Sequence, residues 1–225
     1  KYKVLAILVV IVYFFQPFFF SYGGIGADSL SYFGIAADLP NPETNLFPLG
    51  YPVLLRLVFT MVEDYFWASR ILNLLFIVVI LGFSYYKKFY FRETVLLFTG
   101  KTCFFVLVQA MSEGPFTFFL YFLFYFLHQV FSEKKNVYSH AICASVMLVC
   151  MFLSRYSGVY IFVSVLVFLL FMFFKLRSQF YFKPFLLFVT LSGFGIGAYL
   201  LFNYLHFGSF TGENLRGEAA KGLPI

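Results

Sequence analysis

The sequence predicts an all-α protein: a polytopic bundle of about seven transmembrane helices, with short interfacial helices in the first outer loop. Three observations predict it. Hydrophobic residues make up 62% of the 225, and charged residues only 12%, about half the charged share of a soluble domain. Apolar stretches of near-spanning length recur along the chain, at 4–20, 66–86, 94–110, 116–131, 138–154, 159–174 and 184–204. The basic residues cluster between alternate stretches rather than on one soluble face. The same composition excludes intrinsic disorder, which needs low hydrophobicity. It also leaves too few polar side chains to cover a soluble surface, and the layout of the cations excludes a nucleic-acid partner.

The first stretch, 4–20, follows Lys1 and Lys3. No small-x-small cleavage site closes it and further spans follow, so it reads as an uncleaved helix rather than a signal peptide. Residues 21–65 form the longest non-spanning stretch, the first outer loop. Within it, Asp28 to Leu39 mixes apolar and polar residues at helical spacing, and Tyr51 to Met61 is apolar but too short to cross. Both are expected to lie along the membrane interface, with Trp67 and nearby tyrosines at the water–lipid boundary. Several of the later spans are short: a 17-residue helix rises about 25 Å, slightly less than a hydrocarbon core. Cys103, Cys143 and Cys150 all fall inside apolar runs and read as small buried hydrophobes. The chain starts on Lys1 and stops in a polar stretch, Gly222 to Ile225. Residues 1–225 are therefore expected to be a single membrane domain, the N-terminal part of a longer protein.

Charge sets the expected topology. With the N-terminus in the cytoplasm, ten of the 16 basic residues face inward: Lys1, Lys3, Lys87, Lys88, Arg92, Lys134, Lys135, Lys175, Arg177 and Lys183. Arg56, Arg70, Arg155, Arg216 and Lys221 face outward, and Lys101 falls within a span. This is the positive-inside bias. Of the acids, only Glu93 and Glu133 are cytoplasmic. The chain is expected to sit in an inner or plasma membrane, with its polar chemistry on the outer side.

Three outer residues are the main candidates. Asp28 follows the glycine cluster Gly23-Gly24-Ile25-Gly26, and a partly desolvated carboxylate near the interface suits a general base. A competing reading makes Asp28 the N-cap of the next helix. Glu113 lies in the turn Ser112-Glu113-Gly114-Pro115, where it also suits a helix start. Arg155 lies in the short turn Ser154-Arg155-Tyr156-Ser157-Gly158, where a guanidinium suits a lipid phosphate, whether of a substrate or of an ordinary headgroup. Arg56 and Arg70 are similarly ambiguous. Lys101, near the centre of its stretch, is a functional candidate unless it snorkels. Gly193-Phe-Gly-Ile-Gly197 reads as a helix-packing face. His128, His140 and His206 are too scattered for zinc.

Together these segments resemble the N-terminal part of the C-type (GT-C) glycosyltransferases, closest to the dolichyl-phosphate-mannose protein mannosyltransferase-like enzymes. The resemblance rests on five short motifs, in order. They are Asp28 with Tyr32, Pro48-Leu49-Gly50-Tyr51-Pro52, Ser69-Arg70-Ile71-Leu72-Asn73, Ser112-Glu113, and Ser154-Arg155-Tyr156-Ser157-Gly158. The family often has Asp-Glu at the first motif, where Ser29 stands here.

The resemblance implies transfer of a sugar from a polyprenyl phosphate to a lipid, glycan or protein acceptor on the outer face, with inversion. Asp28 would be the catalytic base. Tyr32, Glu113, Arg155 and Arg70 would bind substrate, with Arg155 on the leaving phosphate. The donor is lipid-linked, so no nucleotide loop is implied. Divalent-metal dependence varies across the superfamily, and no ligand cluster here speaks for it. Two rivals stand beside this reading: a transporter or flippase of lipid-linked sugars, which predicts charges inside several spans, and a non-catalytic membrane scaffold.

Overall fold

The computed structural model describes residues 1–132, 136–176 and 182–212, without the side chains of residues 21, 22, 173 and 176. Glu133, Lys134, Lys135, Arg177, Arg216, Lys221 and the terminal stretch at Gly222 lie outside the described residues. Most of those described are helical, and no strand occurs among them. The helices are α1 (Tyr2–Phe15), α2 (Ala27–Ala37), α3 (Gly50–Val62), α4 (Tyr65–Lys87), α5 (Phe91–Thr99), α6 (Lys101–Leu107), α7 (Glu113–Ser132), α8 (Val137–Ser154), α9 (Gly158–Leu176) and α10 (Phe182–Phe207).

Five helical segments are long and apolar enough to cross a membrane: Tyr2–Phe19, Tyr65–Lys87, Glu113–Ser132, Val137–Ser154 and Phe182–Phe207. The first includes a 3-10 turn that extends α1. Large apolar side chains stand exposed along them, among them Ile7 and Ile11 on α1, Leu75 and Val78 on α4, and Phe194 and Leu201 on α10. Such surfaces need an apolar surround, and the protein is an integral membrane helix bundle. As expected, the first loop holds two short helices, α2 and α3; the longer, at 13 residues, rises only about 20 Å.

The 94–110 stretch departs from the expectation. It is not one span but two short helices, α5 and α6, broken at Gly100. Gly100 takes an extended conformation (φ −70°, ψ 137°) and serves as the N-cap of α6. The cause is local: glycine is a poor helix interior residue, and the break moves Lys101 from mid-span to an exposed helix N-terminus. There its ammonium lies 5.7 Å from the Phe105 ring centroid.

The chain divides into two compact units, residues 1–42 with 51–118, and residues 43–50 with 119–225. In the first, α1 packs on α4 and α5, and α5 on α6. The Tyr13 hydroxyl donates to the Phe98 carbonyl at 3.1 Å, and the Gln16 amide donates to the Phe104 carbonyl. Thus both halves of the broken stretch are tied to the α1 segment. Asp64 caps α4, accepting from the Trp67 amide at 2.9 Å.

In the second unit α8 packs along α10, with α9 beside them. The Ser145 hydroxyl crosses to the Phe188 carbonyl at 3.2 Å. The glycine-rich face of α10 works through its middle member. A Cβ on Gly195 would lie 2.7 Å from Val149 of α8, whereas one on Gly197 would meet nothing within 4 Å. The three cysteines are free and half-buried, in keeping with their reading as small hydrophobes.

Candidate functional site

The site in the first unit starts at the glycines before α2. Gly24 has φ +81°, and a Cβ there would lie 2.6 Å from the Val108 carbonyl oxygen. Only glycine combines that backbone with so close an approach. The chain therefore passes directly against the segment that ends α6. The N-cap of α2 is Gly26, not Asp28. Ser29, at the third helical position, accepts from the Gly26 amide at 3.1 Å. It thereby fills the backward-reaching half of a capping box, a place Glu or Gln often takes. This corrects the N-cap reading: Asp28 lies in the first turn, exposed. A carboxylate is favoured there by the helix dipole.

One turn further on, Tyr32 is buried, at 3% exposure. Its hydroxyl donates to the Ser112 hydroxyl at 2.9 Å. Its ring meets Tyr51 edge-on, with centroids 5.0 Å apart. Ser112 precedes α7 and its carbonyl accepts the Phe116 amide at 3.0 Å, so Glu113 is the first residue of that helix, half-buried. Three motifs separate in sequence thus meet: that of Asp28 and Tyr32, that of Tyr51, and Ser112-Glu113. Tyr51 is fully buried and, among the described residues, its hydroxyl has no hydrogen-bond partner. Burial pushes its ionisation well above the usual phenol range, while the nearby Arg70 charge pulls it back and Tyr32 and Glu113 add to the rise.

Arg70 and Asn73 sit one turn apart on α4 and act as a clamp. The Arg70 guanidinium donates to the carbonyls of Val108 and Gly23 and lies 4.9 Å from the Phe66 ring centroid. The Asn73 amide donates to the carbonyls of Leu107 at 3.2 Å and Gln109 at 3.3 Å. Together they satisfy carbonyls left without helical partners where α6 ends, the orphan groups of any helix C-terminus. Gly114 packs directly on the Asn73 side-chain oxygen, leaving no room for a Cβ. Arg70 was expected to bind substrate; the contacts observed are structural, with two of its three guanidinium nitrogens engaged by backbone. Arg70 and Asn73 also line a cavity of about 210 Å³ with Gln16, Trp67 and apolar residues of α1 and α4.

Arg155 belongs to the second unit. It is the C-cap of α8, its amide donating to the Met151 and Phe152 carbonyls at 3.1 Å, and its side chain is exposed. Its neighbour Tyr156 is the centre of a polar hub. The Tyr156 hydroxyl donates to the Asn45 carbonyl and accepts from the Asn203 amide, each at 2.9 Å. The Asn45 amide reaches Ser209, its carbonyl at 2.9 Å and its hydroxyl at 3.1 Å. Asn203 also donates to the Phe210 carbonyl at 2.9 Å, and the Leu49 amide donates to the Tyr199 hydroxyl at 2.9 Å.

The hub residues Asn45, Tyr156, Tyr199 and Asn203 were not among the sequence candidates. The available signal was an asparagine near the end of an apolar run, since intramembrane polar groups seek partners. Among the described residues no group of three or more His, Cys, Asp or Glu is placed to hold a metal ion. No family model matches the chain, and neither a curated protein nor a solved structure matches it.

Proposed function

We propose that the protein is a membrane glycosyltransferase that moves a sugar from a polyprenyl-phosphate donor to an acceptor at the outer face, with inversion. The observation that carries this reading is the convergence around the Tyr32–Ser112 hydrogen bond at 2.9 Å. It joins the Asp28/Tyr32 and Ser112-Glu113 motifs, with Tyr51 and Arg70 beside them. Asp28 stands one turn before Tyr32, exposed at the protein surface. A proton acceptor for a bulky acceptor hydroxyl needs that access.

In the proposed reaction the acceptor oxygen attacks the anomeric carbon while Asp28 takes its proton. The bond from that carbon to the phosphate oxygen breaks, and polyprenyl phosphate leaves with the electron pair. Glu113 orients the acceptor, and Tyr32 holds α2 in place. The lipid tail stays in the membrane throughout, so the acceptor can be a lipid, a glycan or a protein.

The test is a full-length Asp28→Asn protein, assayed for transfer from a polyprenyl-phosphate sugar at matched abundance. Loss of a general base lowers turnover by about 10²–10⁴-fold; near-normal turnover removes Asp28 from catalysis. The outer placement is checked separately. Leu30 is 61% exposed, and Leu30→Cys in a background lacking the three native cysteines should react with an impermeant thiol reagent from outside.

A further inference from the structure

The other end of α4 carries a different kind of surface. Here α1 and α4 leave an apolar groove of about 410 Å³, walled chiefly by Ala6, Ile7, Val10, Val78 and Leu81. That volume lies within the range of small-molecule sites, about 300–1,000 Å³. Gly82 lines the groove, and a Cβ on it would meet nothing within 4 Å. The missing side chain is therefore not required by packing; it leaves space.

Lys3, Tyr85 and Phe91 complete the lining. Around them stand four exposed cations, Lys3, Lys87, Lys88 and Arg92, with Glu93 the single acid in the 85–93 segment. Three of the four rest on tyrosine faces. The Lys3 ammonium lies 4.7 Å from the Tyr85 centroid, Arg92 5.5 Å from that of Tyr2, and Lys87 5.3 Å from that of Tyr86. The Lys3–Tyr85 contact lies in the groove lining itself, Arg92 follows the lining residue Phe91 in sequence, and cation–π contacts of this kind do not neutralise the charge. The short turn that brings α5 beside α4 uses left-handed Lys88 and Tyr90, with the Phe89 amide donating to the Ser84 carbonyl at 3.1 Å.

An apolar slot beside a cluster of cations matches a molecule with a hydrocarbon tail and a net negative head. We propose that this groove binds an anionic phospholipid, its acyl chain lying against Gly82 and its phosphate held by Lys3 and Arg92. A zwitterionic lipid fits the slot but brings its own ammonium group to the cations. A soluble phosphate satisfies the cations but leaves the slot empty. Basic pockets between transmembrane helices recognise anionic headgroups by this chemistry. The site uses no residue of the proposed catalytic machinery.

The full chain, purified in detergent, is titrated with phosphatidylglycerol, phosphatidylcholine or glycerol phosphate, and bound lipid is counted by native mass spectrometry. One phosphatidylglycerol per chain is expected, retained at concentrations at least about tenfold lower than phosphatidylcholine. The Lys3→Gln/Arg92→Gln variant should lose that preference. Gly82→Leu should lower retention of both lipids while improving helix propensity, with helix content checked by circular dichroism. Equal retention of the two lipids by the native chain, or unchanged binding in both variants, overturns the proposal. So does full competition by glycerol phosphate, which would make the anion alone the ligand.

Discussion

The hydroxyl of Tyr32 donates to the hydroxyl of Ser112 at 2.9 Å, with both side chains buried. This one bond fixes the helix that carries Asp28 to the helix that Glu113 begins. Tyr32→Phe and Ser112→Ala should each cost about 1–2 kcal/mol, since each strands a buried hydroxyl partner or removes the bond. The double variant should cost little more than either alone. Reversible denaturation in detergent measures the cycle; strictly additive costs would show that the two residues act independently.

Arg70 is expected to be intolerant of its usual conservative replacement. Its planar fork reaches two carbonyls on different segments, Gly23 and Val108. An ammonium lacks that geometry. Arg70→Lys should lower stability by about 2–4 kcal/mol, the cost of a charged hydrogen bond and a stranded carbonyl. An unchanged unfolding midpoint would remove the clamp.

The outline of the bundle was legible because five apolar stretches are long and sit between charged turns. The break at Gly100 was not, because the residues on both sides are as apolar as in a continuous helix. Composition does not reveal that a lysine at the next position gains from reaching the surface. The start of α2 was hidden for a related reason. A glycine N-cap has no side chain to announce it, so Asp28, two residues on, took the role by default. The neighbourhood of Tyr32 was legible as motifs but not as contacts. The Arg70 partners are backbone carbonyls, which any sequence could supply. Tyr51, which sits among these residues, was visible only as part of a proline-bracketed segment.

Tyr51 itself makes a test with a sign. Its buried hydroxyl has no hydrogen-bond partner among the described residues, so Tyr51→Phe should leave stability unchanged or raise it by about 1 kcal/mol. In the folded protein burial keeps the phenol protonated, while in the unfolded chain it ionises near pH 10. Its contribution is therefore full below that pH and declines as pH rises past it. Tyr51→Phe should flatten that decline. If the variant folds normally yet transfers sugar poorly, the hydroxyl faces substrate.

Asn203 should matter to the second unit. It donates to both the Tyr156 hydroxyl and the Phe210 carbonyl. Asn203→Leu should cost about 2–3 kcal/mol and open the segment after α10. Limited proteolysis at residues 208–212 reads this directly; cleavage at the native rate would contradict it.

The hub around Tyr156 also sets a timetable. Residues 43–50 are made early, yet the partners holding them come late: Tyr156, Tyr199 and Ser209. At about 5–20 residues per second, the segment waits roughly ten to thirty seconds before α10 exists to receive it. By then α2 has been made before it and α3 to α9 after it. The segment is thus the last part of the early chain to settle, and a chain stalled before α10 offers it Tyr156 but neither Tyr199 nor Ser209.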